Sequence, residues 1–195
     1  MSTFVEARDM ELQQHFMQFN KVMLILWRLG LGKWVNSMPS LSGRILIITH
    51  TGRKSGKSYR TPVNYAEIDG DVYCVAGMGS QADWYLNVKA KPAVEIWLPN
   101  GWWSGTAEEV ADEDVRLPLM RQVLINRGKA APAYGIFPDT MTDKELEQAV
   151  GDARLFRIRK TEARTGDGGP GDLAWVWPLT TILLVLTTLF HRRRR

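Results

Sequence analysis

Apolar residues recur every three or four positions in the first part of the chain, which is the period of a helix. The stretch from Glu11 to Trp34 carries Phe16, Met23 and Trp27 at this spacing. Further along, Thr142 and Glu145 are spaced as in a capping box, which marks the start of a helix. The pattern therefore predicts a long N-terminal helix and three shorter ones, over Trp84–Ala90, Glu113–Arg127 and Thr142–Val150.

Between these helices, β-branched and alternating apolar residues predict six strands. They are Arg44–Thr49, Ser58–Ile68, Asp71–Gly77, Ala93–Leu98, Trp102–Val110 and Leu155–Lys160. The pair Asp69-Gly70 is a strong two-residue hairpin signal, and Pro99–Gly101 is a second turn signal. Strands joined by such short turns are antiparallel. We therefore expect an α+β fold built on an antiparallel barrel or sandwich.

The C-terminal segment differs from the rest of the chain. Leu173–Phe190 contains 18 residues without a charge, and His191 and four arginines follow it. A helix of that length is roughly 27 Å long, at the short end of a membrane crossing. We expect a membrane anchor at the cytoplasmic face, crossing the bilayer or tilted or lying in its plane. The alternative is a helix that packs back on the domain, and the topology stays open.

The N-terminal helix also has two interpretations. It covers the core domain, or it lies in a membrane interface with Trp27 and Trp34 in lipid. The resulting division of the chain has four segments: an amphipathic helix and linker over residues 1–39, the barrel domain over 40–160, a glycine-rich linker over 161–172, and a hydrophobic helix with an arginine tail over 173–195.

Charge and cysteine content exclude several classes of protein. The net charge is +4, and Arg192–Arg195 supply all of it, so the body of the chain is neutral and nucleic-acid binding is not expected. Cys74 is the single cysteine and lies in an apolar strand, which predicts core packing rather than a disulfide framework. The three histidines are far apart in sequence, and no metal-ligand spacing is visible.

One stretch, His50–Tyr65, combines glycines and cations between two predicted strands. Gly52 and Gly56 stand at turn positions, and Arg53, Lys54, Lys57 and Arg60 supply four positive charges within eight residues. Glycines let a backbone approach a ligand closely, and successive loop N–H groups can cradle an anion. The pattern is typical of a site for a small anionic ligand at the end of a sheet. A solvated hairpin with charges selected for solubility is the alternative.

Ordered motifs in residues 40–160 resemble the deazaflavin-dependent nitroreductase family, a branch of the split β-barrel flavin and deazaflavin oxidoreductases. The matching motifs are Thr51–Gly56, Arg60–Tyr65, Asp69–Asp71, Ala76–Gly79, Trp84–Val88 and Ala90–Pro92. The resemblance implies an antiparallel split β-barrel with flanking helices. It also implies a cofactor, the reduced 8-hydroxy-5-deazaflavin coenzyme F-420, whose tail carries a phosphate and glutamate carboxylates.

The same resemblance assigns roles to residues of the matching motifs. The anionic tail would meet Arg53, Lys54, Ser55 and Gly56, with Lys57 and Arg60 nearby. The residues along the ring system would be Thr61, Pro62, Val63, Asn64 and Tyr65. The ring or the phosphate would also be approached from the neighbouring strand by Ala76, Gly77, Met78 and Gly79. The predicted short helix would be held near the site by Trp84, Tyr85 and Asn87.

The implied reaction is transfer of a hydride to a quinone, an enone or a nitro compound. The candidate catalytic residues are Tyr134, as lid and proton donor, and Tyr65, in the wall of the ring site. A membrane anchor favours a lipophilic quinone as the acceptor. Two alternatives are a reductase that uses flavin mononucleotide on the same fold and a membrane-tethered carrier without catalysis. The sequence leaves the oligomeric state open.

Overall fold

Six strands form a closed antiparallel barrel in the computed structural model, which describes residues 17–39, 43–77, 79–133 and 135–192. The strands are β1 (Ile45–Thr51), β2 (Ser58–Ile68), β3 (Asp71–Ala76), β4 (Ala93–Leu98), β5 (Gly101–Glu109) and β6 (Arg154–Arg164). Their order around the barrel is β1-β2-β3-β6-β5-β4. The predicted α+β fold with an antiparallel barrel is confirmed.

The hairpin between β2 and β3 shows why these residues turn where they do. Asp69 and Gly70 have φ angles of 52° and 86°. Two consecutive residues with positive φ match the right-handed twist of the flanking strands, and this requirement favours Asp-Gly. The turn places Ile68 opposite Asp71 and Tyr65 opposite Cys74, so it also sets the register of the two strands.

The alternation of side chains along β1 and β2 divides them between two faces. Leu46, opposite Val63, and Ile48, opposite Thr61, face the barrel interior. The interior is filled by apolar side chains from all six strands and α3, including Cys74, which is fully buried as predicted. Ile47 points to the other face, where it packs with Trp27, Trp97 and Trp102.

Seven helices are described outside the barrel. They are α1 (17–28), α2 (Gly32–Val35), α3 (Asp83–Ala90), α4 (Glu113–Ile125), α5 (Ala130–Ala133), α6 (Asp143–Val150) and α7 (Val176–Arg192). A 3-10 turn covers Gly79–Gln81. Helices α4 and α6 cover the outer face of β2, β3 and β6 through Met120, Leu124 and Leu146. Thr142 and Glu145 form the predicted capping box at the start of α6.

Several predicted boundaries are wrong. The predicted helix Glu11–Trp34 is interrupted after residue 28, because Gly30 takes a φ of 80° and lets the chain turn before α2. The predicted loop Lys129–Asp139 contains α5. Strand β6 continues to Arg164 because its far half pairs with β5, which removes residues 161–164 from the predicted linker.

Trp27 is 1% exposed and belongs to the tryptophan cluster on the barrel, so the interpretation that places it in lipid is wrong. Helix α1 covers the barrel through this side chain, as the other interpretation proposed. Trp34, in contrast, is 58% exposed.

The C-terminal helix begins later than predicted, at Val176 rather than Leu173. At about 1.5 Å per residue, the 17 residues of α7 extend roughly 26 Å. Among the described helices, none combines the length and the apolar character that a membrane crossing requires.

Candidate functional site

The basic loop connects β1 to β2 and is held in shape by its own backbone. Gly52 donates its N–H to the carbonyl of Lys57 at 2.8 Å, and Gly56 donates to the carbonyl of Gly52 at 2.9 Å. A Cβ on Gly52 would lie 2.5 Å from Ser55 Oγ and 2.7 Å from a ring carbon of Tyr59. A larger residue at Gly52 would therefore have to displace the side chains of Ser55 and Tyr59.

The outer side of the loop is open and positively charged. Gly56 has a φ of 66°, and no atom lies within 4 Å of the position that its Cβ would take. Lys54 and Lys57 are exposed, and neither forms an ion pair with any residue that the structure describes. Ser55 lies between them, with its hydroxyl 3.1 Å from Tyr59 Oη. These groups form a shallow cationic surface with free donors.

Arg53 has a different role, because it ties the loop to α3. Its backbone N–H and its Nη1 both donate to Asn87 Oδ1, at 3.0 and 2.9 Å. Nη1 also donates to Asp83 Oδ1 at 2.9 Å. The Arg53 side chain is 26% exposed, and its guanidinium group forms an ion pair with Asp83. Arg53 therefore combines an internal anchoring role with partial access from solvent.

A buried histidine continues this network into the barrel. Asn87 Nδ2 lies 3.3 Å from His50 Nδ1, and His50 Nε2 lies 3.1 Å from Thr61 Oγ1. Because Asn87 uses its oxygen to accept from Arg53, its amide group donates to Nδ1, and Nε2–H then donates to Thr61. We name the chain Thr61–His50–Asn87–Arg53–Asp83 the anchoring network.

His50 and Asn87 are the buried polar side chains of the described core, at 4% and 6% exposure. Burial lowers the pKa of His50 to about 4, although the charge of Asp83 acts in the opposite direction. The imidazole is therefore neutral at pH 7. It also lies nearly parallel to the ring of Tyr59, with the centroids 6.0 Å apart.

Sequence reasoning assigned no function to His50 or Asp83. A signal for His50 was present, because it continues the inward-facing series Leu46 and Ile48 of β1. A polar side chain in that series must find partners inside the protein.

The predicted ring-site residues of β2 are divided between the two faces of the strand. Thr61, Val63 and Tyr65 face the interior, whereas Arg60, Pro62 and Asn64 face outward. Arg60 lies 4.6 Å from the centroid of the Trp97 ring and donates to the carbonyl of Gly168 at 2.7 Å. The structure therefore brings Thr61 to the anchoring network, while Arg60 contacts the segment after β6.

Other predicted site residues serve the barrel core. Tyr65 is 4% exposed, and burial raises its pKa to about 12. Val63 and Ala76 pack in the same interior cluster. Tyr85 donates its hydroxyl to Glu109, and Trp84 packs against Phe156 with the ring centroids 5.9 Å apart. The burial of Tyr65 favours a packing role over contact with an acceptor.

The second predicted loop is described only in part. Gly77 is exposed, while Gly79 is buried, and a Cβ there would lie 2.2 Å from the carbonyl oxygen of Asp152. Met78 and Tyr134 lie outside the described residues. The described residues contain no group of side chains that could hold a metal ion.

Two surface grooves of about 300 Å³ each lie elsewhere on the molecule. One lies between Trp27, the turn at Pro99–Gly101 and Pro170, and the other between Tyr73, Glu108 and the start of α4. Neither groove is lined by a predicted cofactor residue. The basic loop is thus an open surface rather than one wall of either groove.

The donors of the loop fit an anionic group. Lys54 and Lys57 provide charge, Ser55 provides a hydroxyl, and Gly56 leaves its backbone open to close approach. Cations and hydroxyl groups are usual partners of phosphate and carboxylate oxygens. A ligand tail with several negative charges would use these groups together, and a neutral ligand would use few of them.

Three of the solved structures that resemble this one are proteins with different descriptions. An F420-H2 dependent reductase is 27% identical, with a TM-score of 0.41, and the match covers 59% of this chain and 93% of that one. A conserved hypothetical protein of Mycobacterium tuberculosis is 20% identical, with a TM-score of 0.47 and coverage of 69% and 80%. A haem storage protein of Vibrio cholerae is 12% identical, with a TM-score of 0.43 and coverage of 72% and 94%.

The family is shown by the sequence itself. The model of the F420H(2)-dependent quinone reductase family matches residues 28–146, which is more than half of the chain. The matched region contains the basic loop, the anchoring network and five of the six strands. The chain therefore belongs to the F420H(2)-dependent quinone reductase family, and it is a deazaflavin-dependent reductase whose cofactor is reduced coenzyme F-420.

Proposed function

We propose that this reductase binds the anionic tail of its coenzyme on the basic loop and passes a hydride to a lipophilic quinone. When bound, the coenzyme supplies the hydride from its deazaflavin ring. The observation that carries the proposal is the pair of exposed lysines, Lys54 and Lys57, which form no ion pair with a described residue. Two exposed cations in one short loop, without an ion-pair partner among the described residues, favour an anionic ligand over a structural role.

The loop binds through the charges and the hydroxyl group of its side chains. Lys54 and Lys57 neutralise the tail, and Ser55 donates its hydroxyl to an oxygen of the phosphate or a carboxylate. Arg53 donates its backbone N–H to Asn87 and its guanidinium to Asn87 and Asp83, so the partly exposed guanidinium keeps one orientation before the ligand arrives. Such preorganisation reduces the entropy that binding would otherwise cost.

The anchoring network positions the loop relative to the barrel. His50 is neutral at pH 7 and links Asn87 to Thr61 on β2. A charged imidazole would require a counter-ion inside the barrel, so the low pKa keeps the network intact at ordinary pH. The network thereby connects the tail site to the strand that the family resemblance places along the coenzyme ring.

The acceptor side of the proposal rests on the exposed apolar helices. Residues of α1 and α7 expose large apolar side chains, among them Ile25, Leu183 and Leu184. We propose that these helices associate with the cytoplasmic face of a membrane, in which a lipophilic quinone is dissolved. Protonation of the reduced quinone is assigned to Tyr134 or to water, and this assignment stays a prediction.

The experiment is a fluorescence titration of the full chain with reduced coenzyme F-420, with Lys54→Gln/Lys57→Gln beside the wild type. Two charged contacts of about 0.5–1 kcal/mol each predict a loss of about 5- to 30-fold in affinity. The matched control is Lys91→Gln/Lys144→Gln, which removes two exposed lysines outside the loop and should change affinity less than twofold. Equal losses in both double variants would show that general charge, not the loop, attracts the coenzyme.

Turnover tests the acceptor. The wild type should oxidise the reduced coenzyme in the presence of a short-chain naphthoquinone, and a cyclohexenone and a nitroaromatic compound should be poorer acceptors. If the naphthoquinone supports no oxidation while the nitroaromatic compound does, the quinone assignment is wrong although the tail site stands.

A further inference from the structure

Helix α7 contacts the domain at its first turn and exposes its side chains to solvent beyond it. Every described side chain from Trp177 to Leu189 is exposed, and Leu183 and Leu184 reach 64% and 66%. Soluble proteins rarely expose so many adjacent large apolar side chains unless another surface covers them. An apolar helix of this kind implies an external partner.

Helix α1 has an exposed apolar side of its own. Met17, Phe19, Val22 and Ile25 are between 43% and 56% exposed, while Trp27 anchors the end of the helix in the barrel. Trp34 and Met38, which follow α1, are exposed as well. We name the exposed apolar side chains of α1 and α7 the two-helix surface.

A clamp fixes the start of α7 to the end of α1. Arg28 donates to both carboxylate oxygens of Asp172 through Nε and Nη2, at 2.9 to 3.1 Å. Leu173 donates its N–H to the carbonyl of Arg28 at 2.8 Å, and Trp177 Nε1 donates to the carbonyl of Leu29 at 2.9 Å. The predicted linker is therefore docked onto the domain, and the two helices meet at one fixed junction.

The two segments of the sequence that contain α1 and α7 carry charges of one sign. Residues 12–66 and 173–195 contain no aspartate or glutamate, although the chain has 21 of them. The same two segments contain Lys21 and Lys33 around α1 and, in the sequence from the last residue of α7 onward, Arg192–Arg195. An apolar surface whose own two segments carry only cations complements an anionic lipid surface, because its apolar side chains enter the lipid while its cations meet head groups.

We infer that the two-helix surface docks the reductase on membranes rich in anionic phospholipid, with the Arg28–Asp172 clamp holding both helices for joint contact. The inference rests on the proposed membrane association and names its partner. A second copy is the less favourable occupant. A symmetric pair would place this predominantly cationic surface against itself, where like charges repel.

The test is sedimentation of the full chain with vesicles of phosphatidylcholine alone or with one third phosphatidylglycerol. We expect at least 10-fold tighter binding to the anionic vesicles at low salt, and loss of most of that preference at 0.5 M salt. Leu183→Gln/Leu184→Gln should weaken binding at least 10-fold. The control Val115→Gln/Phe137→Gln removes two exposed apolar side chains elsewhere and should change binding less than twofold.

A variant that breaks the clamp tests whether α1 and α7 bind the vesicle together or α7 binds it alone. Asp172→Asn should weaken binding at least threefold, and unchanged binding would show that the helices act independently. Equal binding to neutral and anionic vesicles would overturn the lipid assignment. Absence of vesicle binding, together with a dimer by light scattering that Leu183→Gln/Leu184→Gln dissociates, would assign the surface to a second copy.

The same variants are also assayed with reduced coenzyme and the soluble naphthoquinone. Unchanged turnover in Leu183→Gln/Leu184→Gln confirms that the fold and the coenzyme site are intact. Failure of docking with normal turnover overturns only this inference, whereas failure of the wild type to turn over the quinone concerns the proposed function.

Discussion

Asn87 is the side chain on which the anchoring network depends, and Asn87→Ala tests the network directly. The substitution removes the acceptor for two donors of Arg53 and the donor to His50 Nδ1. Loss of each neutral hydrogen bond costs about 1 kcal/mol, and a buried acceptor left unpaired costs about 1–3 kcal/mol. The guanidinium of Arg53 keeps its hydrogen bond to Asp83, so losing its bond to Asn87 adds little to this cost.

Together these terms predict that Asn87→Ala lowers the free energy of unfolding by about 3 kcal/mol. The measurement is urea denaturation followed by tryptophan fluorescence, because Trp27, Trp97 and Trp102 are buried in the native state. The variant should also bind reduced coenzyme at least 10-fold more weakly, since Arg53 loses its fixed orientation.

Asn126→Ala is the control for loss of an asparagine side chain, because no hydrogen bond joins that side chain to a described residue. It should lower the free energy of unfolding by less than about 1 kcal/mol. If Asn87→Ala is no less stable than Asn126→Ala and binds coenzyme normally, the network does not hold the loop and the reasoning from its distances is wrong.

Three further predictions concern single residues. Because the pKa of His50 is lowered from 6.5 to about 4 on folding, its contribution to stability is complete above pH 6.5 and is lost as the pH falls towards 4. Wild type should therefore lose about 3 kcal/mol more than His50→Gln between pH 7 and pH 4 in urea denaturation, and parallel pH profiles would refute this. Gly52→Ala should cost about 1–3 kcal/mol, because its Cβ would meet Ser55 and Tyr59, and a melting temperature equal to that of Gly77→Ala, where a Cβ would meet only Arg127 Nη1 at 4.0 Å, would count against it. Tyr134→Phe should lower quinone turnover at least 10-fold without changing coenzyme affinity, and unchanged turnover would remove Tyr134 from the mechanism.

Local patterns were sufficient for much of the architecture, because they act over a few residues. Asp69-Gly70 sets a hairpin through its φ angles, and Thr142 with Glu145 starts α6 through two hydrogen bonds. The bounds Ser58–Ile68 and Ala93–Leu98 were predicted without error for the same reason, since turn residues flank both strands.

The sequence predicted only one part of the candidate site. The cations of the loop were visible, because charge and glycine content are properties of neighbouring residues. The anchoring network was not, because Arg53 and Asn87 are 34 positions apart and His50 and Asn87 are 37 apart. Their contact exists only after β1 and α3 pack against each other.

The sequence alone thus determined the strands, their turns, the charge of the loop and the family, because each of these depends on local residue order. The tertiary structure decided which side of β2 each residue faces, and so separated Thr61 from Arg60. It also decided that Trp27 of helix α1 is buried while helix α7 remains exposed. Both helices are apolar, and only the packing of the barrel determines which apolar surface is covered and which is left for a partner.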